Sequence, residues 1–302
     1  MSNELTIREA MEKGKPRVYV SDGVDAARFT LFKKGIFYMG NQKVVDAVEN
    51  NKPALRGLGL TDSALNVMAA VSENEGNLDA VNTWDNSFMT FGMFQWTVGA
   101  GADPGELAAL LQKIKTADPE VFQTYYGRHG LDVQTVNAIS GYFILDNKIL
   151  KVPAEKEALR SLEWAFYFWK SGRDPLVQSV QIQHSLSRIG TFYKTNSYRP
   201  HGFYISGLIT SEYGVGLLLD NHVNRPGYVK ACIEEAMKRT GLMDPALWRT
   251  EEEMRVIEEY LKVRADYGKY PMTDADKRAA VTKKYLDNGT ISAERGSFKY
   301  DY

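Results

Sequence analysis

Cysteine is nearly absent. A single residue in 302, Cys232, excludes an intrachain disulfide and a zinc site built on cysteines. Histidine is almost as scarce, and the four present (His129, His184, His201 and His222) are scattered, so a structural or catalytic metal is not expected. Neither sign of charge dominates: 37 Lys and Arg face 38 Asp and Glu, for a net charge of −1. Without a basic excess no nucleic-acid partner is expected, and without an acidic one there is no general pull on a cationic polymer such as chitosan. No stretch reaches the roughly eighteen apolar residues of a membrane span. The N-terminal run MSNELTIREAMEKGKPR lacks the apolar core of a signal peptide. The chain is therefore expected to be made in the cytoplasm and carried to any target outside it by other means. What remains, 44% hydrophobic and 25% charged, can bury a substantial core as one large domain or two small ones.

The densest chemistry lies in residues 71–97, VSENEGNLDAVNTWDNSFMTFGMFQWT. A helix is expected from Asp62 to about Asn74, capped by Thr61 or Asp62, with Leu65, Met68, Ala69 and Ser72 on one stripe. Gly76 or Asn77 is expected to end it in a left-handed conformation. Glu75 then sits at the negative end of a helix dipole, where the field, together with an apolar wall such as Leu78 or Phe91, favours the protonated acid. That is what a general acid needs near neutral pH. The ordinary alternative is a solvated Glu at a frayed helix end. After it come the polar residues Asp79, Asn82, Thr83, Asp85 and Asn86, then the aromatic run Phe91-Gly92-Met93-Phe94-Gln95-Trp96.

Glu75-Gly76-Asn77-Leu78-Asp79 resembles the Glu-Ser-Asn-Phe-Asn type of segment at the catalytic Glu of the lysozyme superfamily. Phe91-Gly92-Met93-Phe94-Gln95 is similar to the Tyr-Gly-Ile-Leu-Gln strand of soluble lytic transglycosylases, and Trp84-Asp85-Asn86 to the Trp-Gly-Asp-Asn passage of goose-type lysozymes. Phage-type lysozymes place an Asp and then a Thr after their Glu, the Thr fifteen residues on; here Asp85 lies ten and Thr90 fifteen residues after Glu75. The resemblance spans fewer than thirty residues. It implies a mainly α-helical fold with a small β-hairpin element (α+β, lysozyme-like), in a single catalytic domain over 1–302 with a helical extension from about 228. It implies a muramidase cleaving β-1,4 bonds between N-acetylmuramic acid and N-acetylglucosamine, or a lytic transglycosylase or chitosanase-like relative. Peptidoglycan strands are then the partner. Similarity to domains of bacterial secretion effectors and phage-like proteins adds secretion machinery and an immunity protein. Glu75 would be the acid, with Asp85 and Thr90 placing a water or facing the cationic ring. Asn82, Gly92, Gln95 and Trp96 would contact substrate or hold the hairpin, and no cofactor is required. Two departures count. Egg-white-type enzymes have an Asp where Thr90 stands, two before the glycine. Glu73 also rivals Glu75, and on one helix the two would point about 200° apart. The rival class is a non-catalytic wall-binding or structural module that kept the fold.

The rest of the chain gives shape more than chemistry. Residues 4–13 read as a short helix, Arg17–Ser21 as a strand ending in the turn signal Asp22-Gly23, and 53–59 as a loop. Helices are expected from Asp103-Pro104 over 104–115, from Asp118-Pro119 to near Gly127, and from Asp174-Pro175 to Gly190. Arg128 and His129 read as a surface loop. The crowd Trp164, Phe166, Tyr167, Phe168 and Trp169 reads as a buried helix rather than a sugar platform. Asp220 or Asn224 resembles cleft-bracing residues of muramidase- and chitosanase-like relatives; the ordinary reading is a buried acid paired with a neighbour such as Arg225. Three helices are expected in the tail, at 228–239, 245–263 and 273–286, the middle one with Met254, Ile257 and Leu261 as its thin buried face.

Overall fold

A computed structural model describes residues 4–268 and 274–300. Among them the chain is mixed α+β, mainly helical, with two antiparallel sheets. Its contacts divide it into two units, neither contiguous: Met1–Asn51 with Glu75–His184, and Lys52–Asn74 with Ser185–Tyr302.

The first unit carries a seven-stranded meander, β1 (Thr6–Glu12), β2 (Lys15–Ser21), β3 (Ala26–Phe32), β4 (Gly35–Tyr38), β5 (Val81–Asn82), β6 (Thr90–Phe91) and β7 (Trp96–Thr97), each antiparallel to the next. β1 corrects the helix expected over 4–13. Lys13 and Gly14 are both left-handed (φ 49° and 74°), the two-residue turn whose twist matches paired strands. Most of β1 is exposed on both faces, so no hydrophobic alternation marks it. β2 alternates as expected, with Val18 and Val20 buried. The buried face continues through Ala27, Phe29, Ile36, Val81, Phe91 and Trp96. The register sets Arg17, Thr30, Phe37, Asn82, Thr90 and Thr97 in one row across the other face.

Between β4 and β5 the chain forms α1 (Val44–Gly57) and α2 (Asp62–Ser72). α1 carries Pro53 inside it, so most of the loop expected at 53–59 is helix. α3 (Glu106–Ala117) starts later than expected and is capped by Gly105, not Asp103. The preceding loop is committed elsewhere: Gly105 and Gly141 exchange two backbone bonds, and Lys156 donates to the carbonyls of Gly99, Gly101 and Asp103 at 2.9, 3.0 and 2.8 Å. α4 (Pro119–Tyr125) begins as expected, the Asp118 carboxylate accepting from the amides of Glu120 and Val121. A second sheet, β8 (Leu131–Asn137), β9 (Ser140–Leu145) and β10 (Lys148–Ile149), follows where no strand was expected. Its Asp146-Asn147 turn is left-handed at both positions, a readable signal that the flanking polarity hid.

After α5 (Pro153–Lys156), α6 (Leu162–Ser171) buries Trp164, Phe166, Phe168 and Trp169. Phe168 meets Phe91 at 5.2 Å, so the aromatic run is core. α7 (Pro175–Tyr193) runs three residues past Gly190 and passes from the first unit into the second.

The second unit is helical. α2 packs on α9 (Glu212–Asn224), which follows the short α8 (Ile205–Leu208); α10 (Val229–Thr240), α11 (Thr250–Asp266) and α12 (Ala275–Asp287) complete it. A Cβ on Gly214 would lie 2.5 Å from Ile209 and 2.7 Å from Ile257, so this glycine admits the α11 side chain. α11 buries Glu253, Val256, Ile257, Tyr260, Val263 and Arg264; Met254 and Leu261 are only half-buried, and the face is wider than expected. The expected start of the last helix at Thr273 lies outside the described residues. No helix among the described residues is long and apolar enough to cross a membrane.

Candidate active site

Helix α2 begins as its sequence implies, the Thr61 hydroxyl accepting from the amide of Ala64 at 3.1 Å. Its end differs. The helix stops at Ser72, Glu73 is the right-handed C-cap (φ −65°), and neither Gly76 nor Asn77 is left-handed. No glycine cap is needed because tertiary bonds take up the chain. The two rival glutamates part company here. Glu73 is exposed, belongs to the second unit, and accepts from the Tyr285 hydroxyl at 2.7 Å. Glu75 is half-buried and belongs to the first.

The segment that carries Glu75 is stitched down on two sides. On one, the Gly76 amide donates to the Met93 carbonyl at 2.9 Å, and the Gly92 amide to the Ala80 carbonyl at 2.9 Å. On the other, the Leu78 amide donates to the Gln42 carbonyl at 2.8 Å, and the Asn77 side chain to that of Gly40 at 3.0 Å. Asp79, fully buried, accepts from the amides of Asn41 and Gln42 at 2.7 and 2.9 Å, with Arg173 at 3.4 Å. Burial, with the Asp79 charge beside it, pushes the Tyr38 phenol above its ordinary range. Gly76 is a close approach: a Cβ there would stand 2.8 Å from the Gln95 side-chain nitrogen and 3.1 Å from the Gly92 carbonyl.

Gly92 opens the turn between β6 and β7. It is buried and left-handed (φ 78°), and a Cβ would lie 2.2 Å from Gln181 Oε1 and 2.9 Å from the Trp96 ring. Gln95 closes the turn at φ 52°, its side-chain amide donating to the Gly92 carbonyl at 2.9 Å. Gln181 of α7, fully buried, bridges both parts: its amide nitrogen donates to the Leu78 carbonyl at 2.8 Å and its oxygen accepts from the Met93 amide at 3.2 Å. The sequence reading assigned Gln181 no role. In a helix that also carries Gln178, Ser179, Gln183, His184 and Ser185, nothing in the sequence marked it out.

Two residues along the same strands, about 7 Å on, Asn82 faces Thr90. The Thr90 hydroxyl donates to the Asn82 carbonyl at 3.1 Å, and the Asn82 side chain donates to Asp85 Oδ2 at 2.8 Å. Asp85 Oδ1 accepts from the Ser87 amide at 2.8 Å, and Asn82 Oδ1 from the Trp84 amide at 3.0 Å. Asn82, Asp85 and Thr90 thus form one connected polar group, with Thr90 buried and Asp85 half-buried. A carboxylate offers about four acceptor positions, so Asp85 keeps capacity beyond these two bonds.

Trp96 does not join that group. It is 2% exposed, with its ring against Phe94 and His184, and so belongs to the core rather than to an open sugar-binding surface. The exposed ring is Trp84, stacked on Phe32 at 5.2 Å. His129 stacks on Tyr167 at 3.7 Å, where burial first and Arg128 second lower its pKa to about 4. Asp220 is buried, as its ordinary reading held, but its partners are Arg264 and Arg278 at 3.2 and 2.7 Å rather than Arg225. The Asn224 side chain donates to the Asp220 carbonyl at 2.8 Å. Both residues brace the second unit. No family model, curated protein or solved structure matches the chain.

Proposed function

We propose that this chain is a lysozyme-like glycosidase that cleaves the β-1,4 bond between N-acetylmuramic acid and N-acetylglucosamine in peptidoglycan. One observation carries the reading. The Glu75 segment is bonded to the Gly92–Gln95 turn, and two residues along that hairpin Asn82, paired with Thr90, holds Asp85. Glu75 protonates the leaving glycosidic oxygen. Asp85, held by Asn82, faces the positive charge that develops on the sugar ring or orients the attacking water. Gln95 and Gln181 act as positioning residues, fixing the turn against the Glu75 segment. Export through a secretion machine, with an immunity protein guarding the producing cell, belongs to the same proposal.

A second reading has its own support. Both Asp85 oxygens are engaged by the loop itself, which suits a loop-shaping carboxylate. Glu75 would then act alone as acid and base, and the sugar's 6-hydroxyl would attack, giving a lytic transglycosylase. The test is release of soluble fragments from purified peptidoglycan, with mass spectrometry separating reducing from anhydro ends. Glu75→Gln is expected to lower release by roughly 10²–10⁴-fold with the fold retained by circular dichroism, and Glu73→Gln to cost far less. An active Glu75→Gln beside an inactive Glu73→Gln moves the acid by two residues. No release by the wild-type chain removes the glycosidase reading.

A further inference from the structure

The row Arg17, Thr30, Phe37, Asn82, Thr90 runs across one face of the first sheet. Arg17 stands three strands from Asn82, roughly 14 Å at about 4.8 Å per strand. At the Arg17 end lies a concavity of about 630 Å³ lined by Glu12, Lys13, Lys15, Arg17 and Arg28. Four cations thus meet one carboxylate, in a chain whose net charge is −1. That carboxylate is already taken: Glu12 accepts from Arg28 Nε at 2.9 Å and from the Tyr19 hydroxyl. The Arg28 bond holds the Glu12 carboxyl below its usual range. Arg17 donates to the Thr30 hydroxyl, while its buried Nε has no hydrogen-bond partner among the described residues. Beside that row, two residues on in the chain from Thr30 and from Asn82, the exposed Phe32 and Trp84 rings lie stacked.

We infer that this face is an extended binding strip for a carboxylate-bearing glycan, with the β1–β3 concavity holding an acidic substituent of the polymer and the Phe32–Trp84 pair offering an apolar face to a sugar ring. The inference rests on the proposed glycosidase reading for the identity of the glycan. The charge pattern favours this occupant over a nucleic acid. A phosphodiester chain carries charge at every step, whereas here the cations gather in one concavity and the row beyond it is uncharged.

The experiment measures binding of the full chain to purified peptidoglycan, to the same polymer with its carboxylates amidated, to poly-L-glutamate and to a single-stranded oligodeoxynucleotide. It compares the wild type with Lys13→Gln/Lys15→Gln/Arg17→Gln. The triple variant is expected to bind native peptidoglycan and poly-L-glutamate about tenfold more weakly, with a shallower salt dependence. Amidation of the polymer, which needs no variant to fold, is expected to weaken wild-type binding by a similar factor. Equal binding by variant and wild type, or indifference to amidation, overturns the strip. Binding of the oligodeoxynucleotide as tightly as the glycan overturns the choice of occupant. If the wild type releases no peptidoglycan fragments while the triple variant still loses poly-L-glutamate, the anion strip stands and the glycosidase reading falls.

Discussion

Gly92 and Gln181 form a pair whose energies must fail to add. Gln181 is fully buried and satisfies two groups, the Leu78 carbonyl and the Met93 amide. Gln181→Ala orphans both. At about 1–3 kcal/mol for each buried group left unpaired, a loss of about 3 kcal/mol is expected. Gly92→Ala brings two costs. A left-handed residue with a Cβ costs about 1 kcal/mol, and that Cβ would sit 2.2 Å from Gln181 Oε1, so the amide must leave and both bonds go with it. The single variant is therefore expected to lose about 4 kcal/mol by the same arithmetic. In the double variant the obstruction has already gone. The backbone term and the contact with the Trp96 ring, 2.9 Å from that Cβ, are common to the single and double variants, so the double falls about 3 kcal/mol short of the sum of the singles. Urea unfolding of the wild type, both singles and the double measures this coupling of about 3 kcal/mol. Additivity within about 0.5 kcal/mol would falsify the claim that Gly92 exists to admit Gln181.

On the proposed mechanism Asp85→Asn removes a charge facing the developing cation and is expected to lower fragment release strongly; it keeps the Ser87 bond but loses the Asn82 one, so the fold is retained with a modest drop in melting temperature; wild-type turnover would leave Asp85 a shaping role only. Lys156→Met leaves three loop carbonyls without their donor, and a loss of about 3 kcal/mol is expected in chemical denaturation. Asp220→Ala strands the buried Arg264, with about 3–5 kcal/mol lost; a stability equal to wild type would mean the pair is not buried in solution. Burial first, then Arg188, lowers the His222 pKa to about 4 from an ordinary 6.5. The unfolded chain thus binds the extra proton between those values, so stability is full above about pH 6.5 and falls by about 3 kcal/mol as pH drops through 4. His222→Gln should flatten that part of the pH profile, and an unchanged profile would refute the assignment.

The sequence made local events legible. Thr61 and Asp118 cap their helices because a short side-chain oxygen reaches amides two or three residues on, a relation contained within the motif itself. β2 was readable because Val18 and Val20 alternate with polar neighbours. β1 was not, since its burial comes from pairing on one edge and leaves both faces largely in solvent. The segment around Glu75 was recognised by its residues, but what holds it was not. Met93 lies in the same stretch, but Gln42 and Gln181 arrive from distant parts of the chain and carry no mark of it. Asp220 shows the same limit: an adjacent Arg225 was the natural partner on paper, yet Arg264 and Arg278, from later helices, take its oxygens. Glycine roles were legible in kind only. Gly76 was expected to turn a helix end and instead makes room for the Gln95 side chain.

The interleaving of the two units has a consequence for biosynthesis. Residues 52–74 belong with a partner set that begins at residue 185. The apolar stripe of α2, with Leu65, Val67, Met68 and Val71 fully buried in the finished protein, emerges well before α9 and α12, which cover it. The last residue of α9, Asn224, is 152 positions after Ser72; at ~5–20 residues per second that is roughly 8–30 s of translation. During this interval the nascent chain holds a sticky helix in the stretch between strands β4 and β5. Termination near residue 184 would release the strands of the first unit complete but with α2 uncovered, a product inclined to aggregate.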